Sequence, residues 1–162
     1  MGRSFLVGFA CLLAASTVAA QRTDNRTIIG AGNEFLSAGS FAIRMGQYDE
    51  GIRLTHLGLT RYQPSREDRA AALSNLCAAH AGKGEPDLAI PYCDESLGMS
   101  DRNWRTYSNR AYAHYLNGRL ATATSDLDLA AAINPNAKQV LQLRGMINEV
   151  GLRPRVIMED HQ

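Results

Sequence analysis

The residues with the clearest chemical potential are two cysteines and two histidines. Cys77 lies seven residues before Gly84, and Cys93 eight residues after Glu85. If the chain reverses at Gly84–Glu85 between antiparallel helices, the two thiols stand at the same height across the closest helix contact. Two states are open to them. One is a disulfide, which requires Cα atoms roughly 4.4–6.8 Å apart and, in the chain-entropy model, contributes about 3 kcal/mol for a loop of about 16 residues. The other is a pair of small buried side chains with free thiols. Mass measurement with and without reductant separates the two. No C-x-x-C pair occurs, and two cysteines alone make a poor zinc site.

His80 and His114 are 34 residues apart. Equivalent positions in neighbouring structural units lie about one helix diameter, ~10 Å, from each other, so they do not converge on one ion. Partly buried histidines with a hydrogen bond each are the simpler reading. Other patterns carry less. "GAGNEF" from Gly30 opens a helix but lacks the third glycine and a preceding strand of a dinucleotide fingerprint. Ser37 lacks the glycine that precedes a nucleophile elbow. The acid pairs Asp49/Glu50 and Asp94/Glu95 are adjacent on helices and so point in different directions. These readings assign no catalytic residue, no metal and no cofactor, and the chain is not read as an enzyme.

The elements that must position these residues are helices. From Gly32 onward apolar residues recur at helical spacing and no stretch alternates long enough for a strand. Seven helices are expected near 32–45, 49–62, 66–82, 86–99, 102–117, 119–133 and 136–150. Gly46, Gly84, Gly118 and Gly151 each close a run, where a left-handed residue ends a helix without steric cost. Ser65 and Asp101 are placed to cap the helices that follow them, and Pro135 stops the sixth.

The 17 basic and 16 acidic residues nearly cancel, which argues against a general nucleic-acid binder. All the basic residues but Lys83 and Lys138 are Arg; with the abundant Ala this suggests a GC-rich bacterial coding sequence. Residues 1–20 read as a cleavable signal peptide: Arg3, an apolar run from Phe5 to Ala15, then "STVAA" with Val18 and Ala20 before a cut ahead of Gln21. The run is shorter than the roughly 20 apolar residues of a membrane span. The expected location is the bacterial periplasm or the secreted fraction, with no membrane span after cleavage. Residues 21–31 form a polar leader and 152–162 a charged tail.

The block around Gly84 repeats around Gly118 without a gap: Asn75 falls on Asn109, Ala79 on Ala113, His80 on His114 and Ala89 on Ala123. A looser copy begins near Gly46, offset by 38 because four extra residues sit around "RYQPSRED". A 34-residue period of helix–turn–helix units resembles the tetratricopeptide repeat (TPR) family. The family pattern falls on Tyr107, Arg110, Ala111, His114, Ala123, Leu127 and Pro135. In the second copy it falls on Leu73, Leu76, Cys77, His80, Ala89, Cys93 and Asp101. In the first it falls on Phe35, Ala38, Gly39, Ala42, Gly51, Thr55 and Gln63. The small slots are kept and the large ones are degraded. The resemblance implies an all-α solenoid over 32–151, with three helix pairs (about 32–64, 70–101 and 104–135) and a capping helix at 136–150.

It also implies that the first helix of each pair lines a groove that binds a protein or peptide. By slot, the groove residues are Asn75 and Asn109, whose amides can read a ligand's main chain. Arg105, Tyr112 and Tyr115 come from the third pair, and Ser40 and Arg44 from the first. Ser37, Ser74, Ala78, Ala81, Ser108, Gln142 and Met146 would surround them. A second reading is a structural or assembly subunit that uses its convex face, end cap or tail, or binds its own copies. The sequence leaves the partner and the oligomeric state open.

Overall fold

The computed structural model describes residues 33–152. The expected signal peptide (residues 1–20), the expected leader up to residue 32 and the expected tail from residue 153 lie outside the described residues. Seven α-helices follow one another: α1 (Glu34–Arg44), α2 (Tyr48–Arg61), α3 (Arg66–Gly82), α4 (Pro86–Met99), α5 (Trp104–Leu116), α6 (Leu120–Ile133) and α7 (Lys138–Leu152). No strand occurs among the described residues. The all-α expectation and the seven segments are met to within two residues at most ends.

Local chemistry sets the boundaries. Ser65 Oγ accepts from the Asp68 amide at 3.0 Å and caps α3. Asn33 Oδ1 accepts from the Leu36 amide at 3.1 Å, while its Nδ2 donates to the Gly58 carbonyl at 2.9 Å, so one side chain caps α1 and ties it to α2. Gly46, Gly84 and Gly118 adopt φ of 76°, 77° and 69°, the left-handed turns expected after α1, α3 and α5. Two expectations are corrected. Asn103, not Asp101, caps α5, its Oδ1 accepting from the Arg105 amide at 3.1 Å. Gly151 does not close α7, because the helix runs on through Leu152.

Each pair places residues 16 apart across its interior, and each fills that position differently. In the first, Gly39 faces Thr55 so tightly that a Cβ on Gly39 would lie 2.6 Å from Thr55 Oγ1. In the second, Cys77 and Cys93 are joined as a disulfide with Cα atoms 5.3 Å apart, within the range that such a bond requires. In the third, the positions hold Ala111 and Leu127, both wholly buried in one core cluster.

Between pairs the first helices touch in succession, α1 with α3, α3 with α5 and α5 with α7, while the backbones of α2, α4 and α6 stay apart. The first-helix side is therefore the inner, closely packed side; the second helices meet only through long side chains, as where the His56 ring on α2 lies edge-on to Tyr92 on α4 at 6.2 Å. The joints repeat as well. Lys83 Nζ donates to Asp49 at 2.7 Å across the first joint, and Asn117 Nδ2 donates to Asp87 at 2.9 Å at the equivalent place in the second. Deeper in the second joint lies a buried hydroxyl chain. Ser96 Oγ donates to the Ala70 carbonyl at 2.8 Å, and Thr106 Oγ1 donates to Ser74 Oγ at 2.8 Å.

Candidate functional site

The inner face is built from α1, α3, α5 and α7, and its expected residues divide into those it presents and those it uses internally. Ser74, Ala81 and Ser108 do not line the face. They are almost wholly buried between helices, because the 34-residue stacking puts their slots against the neighbouring pair. Ser40 is 8% exposed, and its Oγ accepts from Arg44 Nη1 at 2.7 Å. Arg44 stays exposed and lies 5.8 Å from the Phe41 ring centroid.

The two asparagines differ. The Asn109 carboxamide is engaged at both ends: Nδ2 donates to the Ser74 carbonyl at 3.2 Å, and Oδ1 accepts from Gln139 Nε2 at 3.1 Å. Asn109 thus ties α5 to α3 and α7. Asn75 is half-buried, and its Nδ2 is shielded from solvent without a hydrogen-bond partner. A shielded donor of this kind costs about 1–3 kcal/mol.

Arg105, Tyr112 and Tyr115 form the third-pair end. The Arg105 guanidinium sits 4.4 Å from the Trp104 ring centroid, a cation–π contact that fixes its plane. Tyr112 and Tyr115 stack with centroids 6.3 Å apart and both remain half-buried. Tyr112 continues into a depression of about 210 Å³ with Gln139, Gln142, Leu143 and Met146. Gln142 and Met146, expected beside Tyr112, are therefore brought to it. Arg44 and Ser40 belong to α1, two helices away from α5 along the face.

The histidines go to different environments. His80 Nδ1 lies 2.8 Å from Glu85 Oε2, and its ring stacks on Tyr92 at 5.4 Å. The hydrogen bond from His80, and then that from Lys83, holds the Glu85 carboxyl below its ordinary value. His114 is buried, its Nε2 3.9 Å from Asp126 Oδ2 and its Nδ1 without a partner. Burial pushes its imidazole below the ordinary histidine value. Among the described residues no group of His, Cys, Asp and Glu is placed to hold a metal ion.

The sequence reading did not single out the third pair's ion cluster. Arg110 Nε and Nη2 donate to Asp126 at 2.9 and 2.7 Å, and Nη1 donates to Asp94 at 2.7 Å. The signal was available, since Arg110 to Asp126 is the same 16-residue step that joins Cys77 to Cys93.

No family model matches the chain. The human FK506-binding protein-like protein is 28% identical over 116 residues, covering 72% of this chain and 32% of that protein. The chain thus spans about a third of the length of this curated relative. The TPR domain of P58(IPK) superposes with a TM-score of 0.66 at 20% identity, over 73% of this chain and 33% of that one. The first TPR domain of human RPAP3 superposes at 0.60 with 19% identity, over 71% and 87%. The first TPR of Spaghetti (RPAP3), solved with the HSP90 peptide SRMEEVD bound, gives 0.60 at 18%, over 74% and 91%. The chain has a tetratricopeptide repeat fold. Its helices pair as α1–α2, α3–α4 and α5–α6, and α7 packs on the last of these pairs. Among the described residues no helix is long and apolar enough to cross a membrane.

Proposed function

We propose that this protein is a non-catalytic interaction module that takes up an extended peptide or partner segment along α1, α3, α5 and α7. The observation that carries the reading is the Asn75 amide: a shielded donor without a partner, on the inner face, in the slot where Asn109 already bonds a main-chain carbonyl. Arg105, fixed on Trp104, supplies a cation for a carboxylate. Tyr112 and Tyr115 supply amphipathic contact area, and Arg44, held by the buried Ser40 hydroxyl, extends the face toward the first repeat. The fold supports the reading, since a TPR domain of the same fold was solved holding the acidic peptide SRMEEVD.

The signal-like residues 1–20 and the Cys77–Cys93 pair together favour an exported protein working in an oxidising compartment such as the bacterial periplasm. Cell fractionation checks the location. Affinity capture from that fraction, followed by mass spectrometry, identifies the partner. The combined Asn75→Ala, Arg105→Ala and Tyr112→Ala variant keeps the fold and loses the captured protein; undiminished capture would reject the inner face as the site.

A further inference from the structure

The last helix repeats the pattern of α5 with an offset of 34 residues. Arg144 takes the slot of Arg110, and Gly145 that of Ala111. Arg110 reaches carboxylates on both neighbouring second helices, Asp94 on α4 and Asp126 on α6. Arg144 reaches Asp128 on α6 at 2.8 Å, and Asp128 is the counterpart of Asp94. On the opposite side of Arg144 the two helices differ. Ala111 is wholly covered by α6, whereas a Cβ on Gly145 would meet no heavy atom within 4 Å. Leu141, in the slot of the half-buried Tyr107, is 57% exposed. Next to this stripe a cleft of about 560 Å³ opens between the start of α6 and the end of α7, lined by Leu120, Thr124 and Ile147 among others.

Each earlier first helix ends at a glycine with positive φ that turns the chain back onto it. The corresponding position after α7 is Leu152, and it is helical. The chain therefore does not reverse there in the way that lays α2, α4 and α6 on their partners. A second copy cannot supply the covering helix either. The small and polar residues that would face α7 are already buried within each pair: Gly51 and Thr55 on α2, Ala89 and Cys93 on α4, Ala123 and Asp126 on α6.

We propose that the Leu141–Arg144–Gly145–Asn148 stripe of α7 is a docking seat for one helix of a partner protein, which completes a fourth repeat. The chemistry of that helix follows from α6. It runs antiparallel to α7, sets a carboxylate against Arg144, follows it with a leucine-sized side chain over Gly145, and keeps alanine-sized residues one turn to either side. This seat is separate from the inner face and does not depend on it.

The probe is a fluorescent peptide with the α6 sequence, residues 119–134, titrated into the full chain by anisotropy. Saturable one-to-one binding is expected. Arg144→Glu weakens it at least about tenfold, and a peptide carrying Asp126→Arg restores it to that variant. Gly145→Leu fills the seat and also weakens binding, while Asn75→Ala leaves it unchanged. Circular dichroism verifies that each variant is folded. Absence of saturable binding up to about 1 mM, a range that corresponds to only ~4 kcal/mol, would overturn the proposal. So would charge reversal without restoration. If deleting residues 153–162 tightened binding more than about tenfold, the chain's own tail would be the occupant and the partner helix would be rejected.

Discussion

Repeats two and three share a backbone plan and a 34-residue register, yet they close their helix pairs by opposite means. In repeat two the contact is covalent and apolar: Cys77 is joined to Cys93, and the flanking slots hold Leu76 and Tyr92, with His80 stacked on Tyr92. In repeat three the same slots hold Ala111 and Leu127, flanked by Arg110 and Asp126, with His114 beside them. Asp126 is 3% exposed, so it is a nearly buried charge that requires its guanidinium. One fold thus tolerates a disulfide within an apolar surround or an apolar contact within an ionic one. The geometry depends on the small residue at Gly39, Cys77 and Ala111, and less on the chemistry around it.

The largest expected effect comes from breaking the ionic solution alone. Arg110→Leu, which copies Leu76, leaves Asp126 buried without its partner and should lower stability by about 4 kcal/mol, the usual penalty for an uncompensated buried charge. Adding Asp126→Tyr, which copies Tyr92, should recover most of it. Denaturant unfolding of the single and double variants measures both, and the same loss in both would show that the slots are not interchangeable.

Breaking the covalent solution should cost slightly less. Reduction of Cys77–Cys93, or replacement of both by Ala, is expected to lower stability by about 3 kcal/mol in the chain-entropy model and the melting temperature by about 10 °C. Mass spectrometry of the alkylated protein should show the two-hydrogen difference on reduction. The converse graft, Ala111→Cys with Leu127→Cys, should bridge spontaneously, because its 16-residue step has the same geometry. Its gain is expected to be smaller, about 1–2 kcal/mol, since a buried leucine is lost from the core.

A smaller effect is read by pH at His114. Burial holds the folded-state pKa of His114 below its unfolded value of about 6.5. The unfolded chain therefore binds this proton first as pH falls, and stability declines below about pH 6.5. His114→Gln should flatten the melting temperature between pH 7 and 5. Glu85 acts at lower pH. Its folded pKa lies below 4.5, so the stability it contributes is present above that value and is lost as pH falls through the folded pKa. An unchanged slope in His114→Gln would contradict the assignment.

Much of this architecture is legible in the sequence because repetition averages out local ambiguity. The turn glycines Gly46, Gly84 and Gly118, the small slots and the placement of Cys77 opposite Cys93 all follow from one period. The candidate site was less legible. Ser74 and Ser108 look like groove residues by slot, but their slots face the neighbouring pair: Ser74 is held in the second joint by the hydroxyl of Thr106, and Ser108 is wholly buried without a partner for its hydroxyl. Asn75 and Asn109 are identical by slot. They differ in the structure because the four-residue insertion at "RYQPSRED" changes how α1 meets α3, whereas α3 meets α5 without one. Asp101 and Gly151 misled for a related reason. Asn103 stands nearer the true start of α5, and no following helix among the described residues constrains the end of α7.

The contrast between the two asparagines offers the most direct test of the binding account. Once the partner is captured, its affinity and the melting temperature should be measured side by side for Asn75→Ala and Asn109→Ala. The account predicts that Asn75→Ala weakens binding about tenfold, roughly one hydrogen bond, without lowering the melting temperature. It predicts that Asn109→Ala lowers the melting temperature by severing the bond to Ser74. A protein in which Asn75→Ala binds normally and Asn109→Ala alone abolishes binding at unchanged stability would contradict it.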